Sequence, residues 1–219
     1  AASNVMTSAN ANLRYSYGIK TFMSYMMDAR EQHSMTPELS NAPHYPFQAI
    51  KDAGQVLTDY LDVLDSNDQV SLEVFATTVR HEIDLTGDFH QVSDRLNQLH
   101  AGYYDSNTYT AGGLQAGIDE LTGVRARPGA KKIMVLLSDG LANCSSTSTC
   151  STSSATTLAA ARTAATNAAQ DAADLGIRIF TVALGSTADT SLMADIAEIT
   201  NGETFAAQGS IAEYVEELQ

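Results

Sequence analysis

Apolar side chains recur along this chain at two spacings, helical and alternating, and the switches between them mark out its elements. Phe47, Ile50, Ala53, Leu57, Tyr60, Leu61 and Leu64 follow helical spacing from Pro46, a residue suited to a first helical position, until Asp65-Ser-Asn-Asp68 breaks the pattern. Val70, Leu72 and Val74 then alternate as a strand, and Val79, His81, Ile83 and Leu85 do so again after a short Thr-Thr turn. Two strands so close in sequence predict an antiparallel hairpin, with His81 simply on the face of its strand. Val92, Leu96 and Leu99 mark a helix ending near Gly102, Tyr103 to Thr110 is a polar loop, and Ala111 to Leu121 is helical again.

The stretch from Lys131 to Asn143 organises the rest. Ile133 to Leu137 is a continuous apolar run bounded by two lysines and by Ser138-Asp139-Gly140, which predicts a strand buried on both faces of a parallel sheet. Its carboxyl end delivers Asp139 to the rim where open α/β sheets bind ligands. There an aspartate can hold a hard cation, act as a base or, as the plainest reading, cap the following turn. Thr157 to Leu175 is an alanine-rich helix stopped by Gly176, and Ile177 to Leu184 is a second buried strand. Gly185 to Asp189 is a loop, and Leu192, Met193, Ile196 and Ile199 share a helix face. Asn201-Gly202 turns into a short strand at Thr204 to Ala207, and Ser210 caps a last helix carrying Ile211, Tyr214, Val215 and Leu218. The fold class expected is α/β: a doubly wound, mostly parallel sheet with helices on both faces and an antiparallel edge strand. The strands at 133–137 and 177–184 should be parallel neighbours, with the strand at 70–75 parallel on the other side.

Residues 1–45 read differently and are taken as an N-terminal extension or insertion before a domain at 46–219. Ile19, Phe22, Met23 and Met26 suit a short amphipathic helix from Tyr17 to Ala29, while Ile19, Thr21, Met23 and Tyr25 leave a strand open. Pro37, Pro43 and Pro46 make the following stretch a loop or linker.

Composition changes this picture in two ways. The 219 residues suit one ample domain with an extension. With 12 basic against 26 acidic side chains the net charge is −14, which argues against nucleic acid and anionic lipid as partners and suits cations or basic surfaces. No apolar run has the length of a membrane span, so no direct membrane insertion is expected in this segment. The opening Ala-Ala-Ser-Asn lacks the build of a signal peptide, so any export signal would lie outside this sequence. The two cysteines, Cys144 and Cys150, flank a short polar loop. Zinc sites space their ligands more closely and need two more, so a local disulfide in an oxidising compartment fits better; two unrelated reduced thiols are the alternative. Such a disulfide would fix the loop beside Asp139 rather than hold the fold.

Nucleotide-binding glycine motifs and the nucleophile-elbow motif are lacking in the sequence, and His33, His44, His81, His90 and His100 show no ligand spacing. Ala111-Gly112-Gly113 opens a helix whose amides would suit a phosphate, yet it follows a loop without a lysine.

Taken in order, Thr108-Tyr-Thr110-Ala-Gly-Gly before a helix, Ser138-Asp139-Gly140 after a strand, and Ile177 to Gly185 followed by Leu192 to Gly202 resemble the von Willebrand factor A family, also called the integrin I-domain family. The resemblance covers Pro46 to Gln219. It implies a metal-ion-dependent adhesion site in which Thr108 supplies a hydroxyl and Asp139 a carboxylate, directly or through water. Asp28 and Ser138 rank below them. The family's Asp-x-Ser-x-Ser motif is missing, as is the strand that should carry it. Either residues 18–28 fill that strand's slot, which would raise Asp28, or the strand lies upstream of Ala1. The layout resembles bacterial surface and pilus-assembly proteins of the TadG kind.

The resemblance therefore implies a non-enzymatic adhesion module in an extracytoplasmic, bacterial surface or periplasmic setting. It would bind a protein ligand's acidic side chain through Mg²⁺ or Mn²⁺, held weakly or not at all with so few protein ligands. The rival readings are a Mg²⁺-dependent phosphate-handling hydrolase using Asp139, for which Arg80, Arg125 and Lys131 are distant cations, and a metal-free scaffold.

Overall fold

The computed structural model describes residues 40–64 and 67–207. The short helix read from Tyr17 to Ala29, its alternative as a strand at 18–28, Asp28 and the helix expected after Ser210 lie outside the described residues.

Apart from β4 and β5, which the pattern did not show, elements follow the order read from it: α1 (Phe47–Val63), β1 (Val70–Phe75), β2 (Val79–Thr86), α2 (His90–Gln98), α3 (Thr110–Thr122), β3 (Lys132–Ser138), β4 (Cys144–Ser146), β5 (Thr149–Cys150), α4 (Ala155–Asp174), β6 (Ile177–Leu184), α5 (Thr190–Ile199) and β7 (Thr204–Ala207). β3 and β6 are parallel neighbours from Lys132 opposite Ile177 to Ser138 opposite Ala183, and β7 adds in parallel beyond β6. β1 and β2 form the antiparallel hairpin. Among the described residues β1 pairs with β2 alone, and no described strand lies between β1 and β3.

Helices cover both faces of the β3–β6–β7 sheet. On one face α4 presents Ala161, Ala165, Ala168, Ala169 and Ala172, all buried, against Leu136, Ile177 and Ile179, with α3 (Leu114, Ile118) and α5 (Leu192, Met193, Ile196) completing the core. Alanines at this helical spacing let a helix approach a sheet closely and lose no side-chain entropy on burial. Thr181, fully buried on β6, satisfies its hydroxyl against the Met193 carbonyl (3.0 Å) and Thr204 (2.8 Å). On the other face Ala49 and Ile50 of α1 meet Leu137, Val182, Leu184 and Phe205.

Two sequence expectations need correction here. β3 is not buried on both faces: Leu136 is 4% exposed, but Ile133 and Val135 are 52% and 48% exposed. The described contacts of α1 explain this, since they reach only the carboxyl half of the sheet's second face. The carboxyl-terminal part of the apolar stripe of α1 is also not buried. Leu57, Tyr60 and Leu64 are exposed, whereas Ala49, Lys51 and Thr58 are buried. Lys51 accounts for part of this: its ammonium donates to the Ser40 (2.7 Å) and Asn97 (3.1 Å) carbonyls and so ties α1 to the end of α2. Burial lowers its pKa from the ordinary lysine value.

The hairpin is held to α3 by charge and by close packing. A Cβ on Gly113 would fall 2.5 Å from the Phe75 ring, and one on Gly112 2.8 Å from Val79 Cγ2, so this glycine pair serves helix–hairpin contact. The Gly113 amide donates to the Tyr109 carbonyl within the helix start (3.1 Å) and is not offered to a phosphate. Opposite Glu73 on the hairpin, His81 bonds Glu73 through Nδ1 (2.7 Å) and Asp84 through Nε2 (2.6 Å). Two carboxylates facing the two ring nitrogens favour the protonated imidazole. The hydrogen bond to Asp84 leads in raising the His81 pKa; burial leads in raising that of Glu73. Glu120 of α3 accepts from the Leu85 amide (2.7 Å) and pairs with Arg125 (2.5 Å), whose hydrogen bond holds the Glu120 pKa low.

These shifts set a pH window. His81 and Glu73 have raised folded-state values, so the stability tied to their protons is lost as pH rises, for His81 from about 6.5 upward. The Glu120 contribution runs the other way and is lost as pH falls below about 4.5. The thermal midpoint should therefore peak on the acid side of neutrality, with His81→Ala flattening the limb above pH 6.5; a wild-type midpoint that climbs from pH 6.5 to 8.5 would contradict this. Gly202 gives a second test, because a Cβ there would lie 1.8 Å from the Ile179 carbonyl oxygen. Gly202→Ala should lower stability by at least about 1–3 kcal/mol in denaturant titration, the ordinary cost of overpacking. The third test concerns the disulfide between Cys144 and Cys150, six positions apart. Closing so short a loop removes little chain entropy, so the Cys144→Ser, Cys150→Ser double variant should lose no more than about 3 kcal/mol. A larger loss would mean that the bond holds the fold.

Candidate functional site

Three loops meet at the carboxyl ends of the parallel strands. β3 ends at Ser138 and releases Asp139, whose side chain is exposed. Ser138 itself is buried, with its hydroxyl 3.4 Å from the Gly140 carbonyl. The loop before α3 brings Thr108 to the same place: a Cβ on Gly140 would lie 3.2 Å from Thr108 Oγ1. Glycine at 140 is thus what leaves room for that hydroxyl beside the Asp139 backbone. From the loop after β6, Thr187 donates its hydroxyl to the Asp139 carbonyl (2.7 Å).

The Thr108 segment is anchored from two sides. The Thr108 amide donates to Asn143 Oδ1 (2.8 Å), and the Thr108 carbonyl accepts from the amides of Asn143 (3.1 Å) and Cys144 (3.4 Å). The Tyr109 amide donates to the Ala76 carbonyl at the hairpin turn (2.9 Å), and Asn107 donates to Thr77 Oγ1 (2.9 Å). The residues between the cysteines, expected only as an exposed loop, form the β4–β5 hairpin, with Cys144 opposite Cys150.

The structure thus brings Thr108 and Asp139 to adjacent loops. Their chemistry, a neutral hydroxyl and an exposed carboxylate, fits a hard cation by ligand type. In number these two leave most of an octahedral shell to water. Sequence reading missed Asn143 and Thr187, because a lone amide or hydroxyl in a polar loop carries no periodic signal. It also missed that His81, Asp84 and Glu120 bring ligand atoms within 4.8 Å of one another. There Arg125, 3.4 Å from Asp84 and paired with Glu120, already supplies positive charge, as does the His81 imidazolium. Near the rim, Arg162 of α4 reaches Asp189 (3.1 Å), Ser191 (3.0 Å) and Asp195 (2.5 Å), so its guanidinium is committed to fastening α4 onto the start of α5.

Comparison with known proteins accords with this architecture. Human matrilin-1 is 29% identical over 149 residues, which is 67% of this chain and 26% of matrilin-1; the chain spans about a quarter of the length of the curated relatives it matches. Among solved structures, the PilB minor pilin of Streptococcus sanguinis superposes with a TM-score of 0.61 at 13% identity, over 83% of this chain and 54% of that one. The von Willebrand factor domain of the type V pili tip protein Mfa5 from Porphyromonas gingivalis does so with a TM-score of 0.56 at 15% identity, over 82% and 90% respectively. At such identities these likenesses speak to fold alone. The sequence model of the von Willebrand factor type A domain matches residues 40–219, and the chain belongs to that family.

Proposed function

We propose that this domain is a non-enzymatic protein-binding module that engages an acidic side chain of its partner through Mg²⁺ or Mn²⁺ at the rim formed by Thr108 and Asp139. The observation that carries this reading is the Thr108 hydroxyl lying against Gly140, beside Asp139, at the carboxyl end of the parallel strands. A bound cation would supply the positive charge that lets a domain of net charge −14 accept a carboxylate. Thr108 contributes a neutral oxygen, Asp139 a charge, directly or through water, and Thr187 holds the Asp139 backbone in place. Ser138, which is buried, ranks below them, as does Asp28. Six waters compete well against two protein ligands for an ion as reluctant to dehydrate as Mg²⁺, so affinity for the free ion is weak.

A hydrolase acting on phosphate would need a free cation at this rim. Arg162 is spent on Asp189 and Asp195, and Arg125 on Glu120 and Asp84, which favours the binding reading. The disulfide suits an oxidising compartment, and the pilus-associated character of two structural neighbours supports a bacterial surface or periplasmic setting. No helix among the described residues is long and apolar enough to cross a membrane. Residues 1–45 are read as an extension or insertion that precedes the domain.

Titration calorimetry with Mn²⁺ and Mg²⁺ should show binding weaker than about micromolar that Asp139→Ala abolishes, since two ligands, one of them neutral, displace few waters. Sub-micromolar binding that survives Asp139→Ala would place the site elsewhere. Generic phosphatase substrates with Mg²⁺ should show no turnover above buffer; turnover lost in Asp139→Ala would establish the hydrolase instead.

A further inference from the structure

The geometry points to Asn143 as a positioning residue for Thr108, acting on the cation site without touching the cation; this inference rests on the metal reading of the rim. Asn143 is 5% exposed, buried together with its neighbours Ala142 and Cys144. A buried amide retains its place only if its hydrogen bonds are made, and each of those made here leads back to the Thr108 segment or to the disulfide hairpin. Its Oδ1 accepts the Thr108 amide (2.8 Å), its backbone amide donates to the Thr108 carbonyl (3.1 Å), and its Nδ2 faces Asn107 Oδ1 (3.4 Å). Asn143 therefore grips the Thr108 peptide on both its donor and its acceptor side, 35 positions away in sequence.

What holds Asn143 is equally local. Its carbonyl accepts from the Ser151 amide (2.9 Å), and its neighbour Cys144 is bonded to Cys150. The hairpin thus forms a covalently closed base from which one side chain reaches across to the Thr108 loop. Ion affinity falls steeply when a ligand oxygen is free to wander, because its ordering must then be met at the moment of binding. Asn143 removes that cost beforehand by fixing the peptide from which the Thr108 hydroxyl projects.

A double-mutant cycle separates positioning from general stability. In Mn²⁺ titration, Asn143→Ala should weaken binding about tenfold, as is usual for residues that orient a metal ligand. In Thr108→Val, which has already lost the hydroxyl, Asn143→Ala should cost nothing further, because Asn143 acts only through Thr108. A second readout needs no metal. In EDTA, hydrogen exchange at the Thr108 amide should accelerate at least about tenfold in Asn143→Ala, and Asn143→Asp, which keeps an acceptor oxygen, should restore protection. If Asn143→Ala does not fold, Asn143→Ser carries the same comparison. Additive losses in the cycle, or unchanged Thr108 exchange, would overturn the inference. Wild-type protein that binds no Mn²⁺ would instead sink the metal reading, and the exchange data would still decide whether Asn143 holds the Thr108 loop.

Discussion

The parallel register of β3 against β6 is the constraint on which the rest of this domain depends. With Ser138 opposite Ala183, the two strands end together, and the loops that leave them must start from one rim. The buried alanine face of α4 keeps this pair flat against a helix, while α3 and α5 flank it. Because the interior is close-packed, the rim loops inherit their spacing from side chains far below them. Thr187 reaches the Asp139 carbonyl, and Arg162 reaches the first turn of α5, only because α4 and β6 lie in this arrangement.

The hairpin of β1 and β2 is joined to that frame by different means. Its link to α3 combines two glycines that admit Phe75 and Val79 of the hairpin with an ionic network of Glu73, His81, Asp84, Glu120 and Arg125. Most of this network is solvent-facing, so each exposed pair contributes little alone. Glu120 and Glu73 are the exceptions. Both carboxylates are largely buried, and each is met by a cation, so removing Arg125 or His81 would strand a negative charge away from water. The same hairpin carries the Ala76 and Thr77 contacts that hold the loop containing Thr108, so its seating on α3 bears on the rim as well.

Much of this was legible in the chain. The continuous apolar runs at 133–137 and 177–184 are parallel strands, the alanine-rich stretch is a helix, and the ordered Thr108 and Asp139 motifs were enough to name the family. Each of these rests on local periodicity or on residue types close together in sequence. Burial was read less well. The stripe of Leu57, Tyr60 and Leu64 suited a core face by spacing, yet the packed side of α1 carries Lys51 and Thr58, whose polar atoms find carbonyl partners. Periodicity reports that a helix is amphipathic; which side meets its neighbours depends on where α2 and the sheet lie.

The sequence by itself determined the order and type of the elements from α1 to β7 apart from the β4–β5 hairpin, the membership of the family and the two residue types at the rim, because these are encoded in spacings of a few positions. Only the tertiary structure decided that Asn143 grips Thr108, that the Thr108 hydroxyl lies against Gly140, that Ser138 is buried and that His81 and Asp84 lie beside Glu120. Apart from the burial of Ser138 and the local His81–Asp84 pair, these contacts join segments tens of residues apart. No local pattern specifies such a meeting; it follows once strand register and helix packing have fixed where each loop begins.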